Sequence, residues 1–242
     1  VAYSSGNHAQ GVAAAAAHFN IPATIIMPHD APNIKITNTQ AFGAKVVFYD
    51  RYRENRESLG AAMAKQRGLI LIKPYDDEDI IAGQGTLGLE MALQCEALNI
   101  NPNQAICPCG GGGLISGTAN ALQHHFPNLP IWAAEPEHYD DTRRSLMAGK
   151  RLENNPDQPS ICDAIVTPIP GQITFPIQQQ RLCGGKVVTD HQVWHAMAIA
   201  LRYLKLVVEP GGCVGLAAVM AGLLDIQGQT TLVILSGGNT DL

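Results

Sequence analysis

A chain of 242 residues, 46% hydrophobic and 15% charged, can bury a substantial core and hold one large domain or two modest ones. Its net charge of −5 and the lack of a basic run argue against nucleic acid as a partner, and against a membrane surface for the same reason. Six cysteines scattered through so large a chain read as free thiols of a reducing, cytoplasmic compartment rather than as staples.

In chain order, strand-like and helix-like runs alternate. The turn Ser4-Ser5-Gly6-Asn7-His8 follows a short apolar opening, and Ala23–Met27 is an apolar strand closed by Pro28. Asn33–Phe42 predicts a helix with Pro32 at its start, and Lys45–Tyr49 a strand after Gly43. Arg53–Arg67 predicts a helix ending at Gly68, and Leu69–Ile72 returns to strand. Helices are expected over Gly88–Ala97 and from Leu114, with strands Ala105–Cys107 and Ile131–Ala134 around them. After an irregular Pro/Asn-rich segment, Leu152 to Pro176, come a helix from His191, capped by Thr189 or Asp190, and another over Gly215–Leu224. Thr231–Leu235 is the last strand, expected to be buried. This β-α-β rhythm predicts parallel sheets with helices on both faces.

Between Ala105-Ile106-Cys107 and Leu114-Ile115-Ser116 stands Cys109-Gly110-Gly111-Gly112-Gly113. Four glycines in a row order the backbone at high entropic cost. At the mouth of a helix they suit close approach of an anion to free N–H groups. No Lys-Ser or Lys-Thr follows, so this is not a Walker loop. Gly111, Gly113 and Gly117 with Glu135 loosely match a dinucleotide unit, which leaves a nicotinamide-dependent oxidoreductase as a minor alternative. Cys107 and Cys109 lack a second half for a metal site. His191 and His195, four apart on one helix, lack a third ligand. Glu209-Pro210-Gly211-Gly212 and Ser236-Gly237-Gly238-Asn239 are further glycine junctions after apolar runs, where a parallel sheet binds its ligands.

Ser4-Ser5-Gly6-Asn7-His8-Ala9-Gln10-Gly11, Ile81-Ala82-Gly83-Gln84-Gly85-Thr86, Cys109 to Gly117, Ala133-Ala134-Glu135-Pro136 and Ser236-Gly237-Gly238-Asn239 occur in an order that resembles the fold-type II pyridoxal-phosphate enzymes, in particular the serine/threonine dehydratase and serine racemase group. The resemblance runs over essentially the whole chain. It implies two three-layer α/β domains with mostly parallel sheets, tryptophan synthase β-like and incomplete at the N-terminus. Residues 1–72 form a small mobile domain carrying the substrate-carboxylate turn, and residues 73–242 a large domain carrying the cofactor-phosphate loop.

The same resemblance implies the roles. Gly110, Gly111, Gly112, Gly113 and Leu114 cradle the phosphate of pyridoxal 5'-phosphate through backbone N–H groups. Asn7 bonds the pyridine 3-oxygen, Ser236 faces the pyridine nitrogen, and Glu209 lies near the ring. Ser4, Ser5, Gly6, Asn7 and His8 take the substrate carboxylate. Ser5 is the acid/base of a racemase side activity. Glu135, Tyr139 and Asp141 hold Mg²⁺ or Ca²⁺ through two carboxylates and a backbone carbonyl, an oxygen donor set suited to either ion. The activity implied is β-elimination from L-serine, L-threonine or a 3-hydroxyaspartate-like acid to a 2-oxo acid and ammonia, by a homodimer.

The Schiff-base lysine of this group lies upstream of the Ser-Ser-Gly-Asn turn, and the chain opens at Val1 within that junction. None of the seven lysines, Lys35, Lys45, Lys65, Lys73, Lys150, Lys186 and Lys205, has the expected setting. The 242 residues alone are therefore expected to be inactive, the activity belonging to a longer parent, with a non-catalytic cofactor-binding or regulatory relative as the alternative.

Overall fold

The computed structural model describes residues 1–155 and 157–240. They form two compact units, Val1–Pro74 together with the segment from Asn239 onward, and Tyr75–Gly238.

The first unit is built on a three-stranded parallel sheet in the order β1 (Ala2–Tyr3), β2 (Thr24–Pro28), β3 (Lys45–Tyr49). Alternate strand residues point to opposite faces. Ala2, Ile25 and Met27 pack with Ala9 and Ala13 of α1 (Asn7–His18). Tyr3, Ile26 and Tyr49 pack with Leu59 and Met63 of α3 (Arg56–Arg67). Between β2 and β3 runs α2 (Asn33–Ala41). The α3 helix starts three residues later than the sequence suggests, because the Asn55 side chain caps it by accepting from the Ser58 N–H at 2.9 Å. It stops at Gly68 in the left-handed region, φ 63°. The expected strand Leu69–Ile72 does not form. Only Ile72 bridges to Ala2, and Ile70 is 80% exposed.

The second unit has a four-stranded parallel sheet in the order β6 (Gly184–Val188), β5 (Ile131–Pro136), β4 (Gln104–Pro108), β7 (Thr231–Val233). Ala105 and Cys107 of β4 face α4 (Glu78–Ala97) and α5 (Gly113–His125), while Ile106 faces α8 (Asp190–Ile199) and α9 (Pro210–Met220). Helices therefore cover both sides of the sheet. The strand expected over Thr231–Leu235 is shorter and only half-buried, because β7 ends the sheet and pairs on one side alone.

Two differences from the sequence reading have one cause. The α4 helix begins ten residues before Gly88, since Gly83, Gly85 and Gly88 argue against helix on propensity. Here the glycines let two helices touch. A Cβ on Gly85 would meet the Gly117 carbonyl oxygen at 3.3 Å, and one on Gly88 the Thr118 carbonyl oxygen at 2.6 Å. Likewise α9 starts at Pro210, not Gly215, with proline in the first turn. The α8 cap is a full capping box, Thr189 with Gln192. A π-helical turn, Ala200–Leu204, follows it. Strand β6 and the helices α6 (Asp141–Ala148) and α7 (Thr174–Arg181) carry no clear apolar period and went unpredicted. No helix among the described residues is long and apolar enough to cross a membrane.

Candidate active site

In the first unit, β1 hands the chain to Ser4-Ser5-Gly6 before α1 opens at Asn7. The Ser4 N–H donates to the Ile26 carbonyl at 3.0 Å, extending the parallel pairing by a residue. Ser4 Oγ accepts from the Gly6 N–H at 3.1 Å. Gly6 is the N-cap of α1 and offers no side-chain cap, so the positive end of a twelve-residue helix faces this turn. Ser4 and Gly6 are buried; Ser5, Asn7 and His8 are half-buried. The Oδ1 of Asn7 accepts from Asn239 Nδ2 at 2.7 Å.

Beneath the turn lies a residue that the sequence reading dismisses with the other lysines. Lys35 on α2 is 1% exposed. A Cβ on Gly6 would meet its Cδ at 2.9 Å and its Nζ at 3.2 Å. Glycine at position 6 thus makes room for a buried lysine head under the turn.

In the second unit, the Cys109 N–H donates to the Ala134 carbonyl at 2.9 Å, and Gly110–Gly113 then lead into α5. Gly112 is its N-cap at φ 95°, with no side-chain cap. The first intrahelical bond runs from the Ser116 N–H to the Gly112 carbonyl at 3.0 Å. The N–H groups of Gly113, Leu114 and Ile115 therefore lie ahead of the hydrogen-bond ladder. This loop presents only main-chain groups beside a helix N-terminus, which fits a phosphate.

What makes the glycines necessary differs from the expectation. The sequence reading assigns their cost to a ligand's approach, but protein atoms fill the space a side chain would take. A Cβ would strike the Tyr75 ring at Gly111, the Gln178 side chain at Gly112, and, at 3.0 Å, Ile165 Cα at Gly110 and Tyr75 Cα at Gly113. The loop is also tied down. Thr174 Oγ1 donates to the Gly111 carbonyl at 2.7 Å, and the Asp76 carboxylate accepts from the Ile173 N–H at 2.7 Å, holding the start of α7. Tyr75, Asp76, Thr174 and Gln178 are unassigned at sequence level, because nothing in their local pattern marks them.

Glu209 is buried at the N-cap of α9, and its N–H donates to the Gly237 carbonyl at 2.9 Å. A Cβ on Gly212 would meet Gly237 N at 2.8 Å. The Glu209–Gly212 turn and the segment of Ser236 are thereby knit together beyond the end of β7, with Ser236 itself exposed.

Glu135 and Asp141 are fully buried. Glu135 Oε1 accepts from the Thr142 N–H at 2.8 Å and Oε2 from the Arg143 N–H at 2.9 Å, capping α6 from the preceding strand. Both carboxylate oxygens are so engaged with the first turn of α6. Burial, then the neighbouring charge of Asp141, holds the Glu135 carboxyl well above the usual range. Burial pushes Asp141 up to about 7. Asp141 Oδ1 accepts from Asn154 Nδ2 at 2.6 Å, while Oδ2 is buried without a hydrogen-bond partner. Tyr139, also buried, donates its hydroxyl to the Gln158 carbonyl at 2.8 Å. An orphaned carboxylate oxygen beside a second acid fits a hard cation. No cluster of three or more His, Cys, Asp and Glu among the described residues is arranged to hold a metal. Cys107 and Cys109 are buried, burial raising both thiols, and His191 and His195 are exposed on α8.

The sequence profile of a family described as pyridoxal-phosphate dependent enzyme matches residues 1–237. The L-threo-3-hydroxyaspartate ammonia-lyase of Pseudomonas sp is 41% identical over 246 residues, covering all of this chain and 74% of the relative. The serine racemase of Schizosaccharomyces pombe is 36% identical over 241 residues, covering 99% of this chain and 73% of that protein. The crystal structure of a T.th. threonine deaminase superposes with a TM-score of 0.92 at 40% identity, over all of this chain and 77% of the other.

Proposed function

The chain belongs to the family of pyridoxal-phosphate dependent enzymes, and on that premise we propose that it serves the deaminating β-elimination of hydroxy amino acids. L-Serine, L-threonine or an L-threo-3-hydroxyaspartate-like acid loses its β-hydroxyl as water. Hydrolysis of the resulting enamine then returns that water and yields a 2-oxo acid and ammonia. The observation that carries the reading is a pair of helix-opening turns after parallel strands. One, Gly110–Gly113 with Leu114, is free of side-chain hydroxyls and amides and suits a phosphate. The other, Ser4–His8, bears them and suits a substrate. Relatives named for 3-hydroxyaspartate and for serine support the choice of substrates.

When bound, pyridoxal phosphate supplies an electron sink for the carbanion left at Cα. The chain's own residues bind and orient the cofactor and the substrate. The α1 N-terminus, with Ser4 and Gly6, binds and orients the α-carboxylate. Asn7 donates its amide to the 3-oxygen, and Gly110–Leu114 hold the phosphate. Ser236 offers a hydroxyl at the pyridine nitrogen. Unlike a carboxylate, it would not hold a proton on that nitrogen. Glu209 closes the ring side. Ser5 moves a proton at Cα on one face, giving a racemase side activity.

Mg²⁺ or Ca²⁺ at Glu135, Asp141 and the Tyr139 carbonyl braces the start of α6. The reading further takes the protein as a homodimer. Its six unbonded cysteines support a reducing, cytoplasmic setting. Borohydride reduction of the protein from its native source tests the cofactor assignment. Intact mass gains one pyridoxyl group if the reading is right, and no gain contradicts it.

A further inference from the structure

A carboxamide has two unlike ends, one accepting and one donating, and only its neighbours decide which way it points. Asn7 opens α1, and its Oδ1 is held by the Nδ2 of Asn239 at 2.7 Å, across 232 residues of sequence. An amide whose oxygen faces Asn239 turns its NH₂ the other way. Asn239 is the last residue of Ser236-Gly237-Gly238-Asn239, a motif singled out in the sequence with no role for its final position.

We propose that Asn239 is a positioning residue. By donating to Asn7 Oδ1, it makes Asn7 present its NH₂, not its carbonyl, to the pyridine 3-oxygen. The inference rests on the assignment of Asn7 made above. The 3-oxygen is an acceptor when ionised, so the opposite orientation of Asn7 sets lone pairs against lone pairs at that contact. It also sets the two NH₂ groups of Asn7 and Asn239 against each other. One hydrogen bond between side chains therefore fixes the polarity of a second.

The variants separate polarity from mere packing. N239A removes the donor. N239D puts an acceptor in its place, so Asn7 must turn its NH₂ toward Asp and its carbonyl toward the cofactor. Holoenzyme and resolved apoenzyme are titrated with pyridoxal phosphate, reading affinity and the absorption band of the bound cofactor. The expected order is N239A weaker by about fivefold and N239D by about fiftyfold, the band moving toward that of N7A. In the N7A background, adding N239A costs less than about twofold more, because both changes remove one interaction.

Equal losses for N239A and N239D with an unmoved band, or full additivity of N239A with N7A, overturn the proposal. Should the added charge of N239D unsettle the fold, N239A and the N7A/N239A pair decide alone. An N7A protein that binds the cofactor like the wild type, with the same band, instead overturns the assignment of Asn7 on which the inference stands. That outcome is told apart by N7A on its own.

Discussion

The two glycine turns solve the same problem with opposite means. Both sit between a parallel strand and the N-terminus of a helix of twelve or thirteen residues, and both leave that helix without a side-chain cap. At Ser4–His8 the turn is dressed with hydroxyl, amide and imidazole groups, and Lys35 lies buried under it. At Gly110–Gly113 every side chain is gone, and the space each would fill is occupied by Tyr75, Ile165 or Gln178. The first arrangement can adapt to a ligand that arrives and leaves. The second is a fixed cast suited to a group that stays. Phosphate and substrate carboxylate are both anions, and the proposed reading tells the two turns apart by this difference in backing.

The largest effect that can break this contrast comes from G112A. A methyl group there must displace Gln178 at a backbone angle of φ 95°. Overpacking and left-handed strain together cost about 3 kcal/mol. Thermal unfolding should show the loss, and titration with pyridoxal phosphate should show affinity falling by about 100-fold. A G112A protein of normal stability and cofactor affinity would mean that the cast is not the phosphate site.

Next comes the acidic pair. Ca²⁺ or Mg²⁺ should raise the melting temperature of the native protein by several degrees, roughly the value of 1–2 kcal/mol, and D141N should abolish the rise. The pH dependence has a definite sign. Asp141 titrates near 3.8 when unfolded and about 7 in the fold. Its protonated form is therefore the stabilised one. That contribution is complete at low pH and drains away as pH climbs through about 7. A cation needs the carboxylate, so its stabilising effect should grow between about pH 5 and pH 8. A cation effect independent of pH or retained in D141N would contradict the site.

Smaller shifts sharpen the substrate half. K35M, which removes the buried amine while keeping the volume, should raise KM for a carboxylate substrate by about tenfold while kcat falls less. A fall in kcat at constant KM would place Lys35 outside carboxylate binding. S5A should depress D-amino-acid formation by about 100-fold, the scale of one acid–base group, and elimination by only a few-fold. Equal losses in both reactions would reduce Ser5 to a turn residue.

Much of this was legible before any coordinates. Apolar runs such as Ala23–Met27 and Ile131–Ala134 announce buried parallel strands by composition, and Gly68 announces the end of α3. The motifs Ser4–His8 and Gly110–Gly113 point to anions because few other uses justify their cost. What escaped depends on partners far along the chain. Gly85 and Gly88 look like helix breakers until Gly117 and Thr118 arrive from α5 to press against them. The Gly-Gly-Lys-Val-Val strand β6 forms because β5 supplies its register, Trp132 to Gly184 through Pro136 to Val188. Thr174, Gln178 and Asn239 bond Gly111, Cys109 and Asn7, each more than sixty residues away. Lys35 is one of seven lysines by sequence, and only burial distinguishes it.

The measurement that bears most directly on the account is 2-oxo acid formation by the protein from its native source, resolved of its cofactor, with and without added pyridoxal phosphate. L-threo-3-hydroxyaspartate, L-serine and L-threonine are supplied in turn. The account predicts turnover of at least one of them that vanishes on removal of the cofactor and returns with it. A protein that binds the cofactor yet releases no 2-oxo acid or ammonia from any of the three would contradict it.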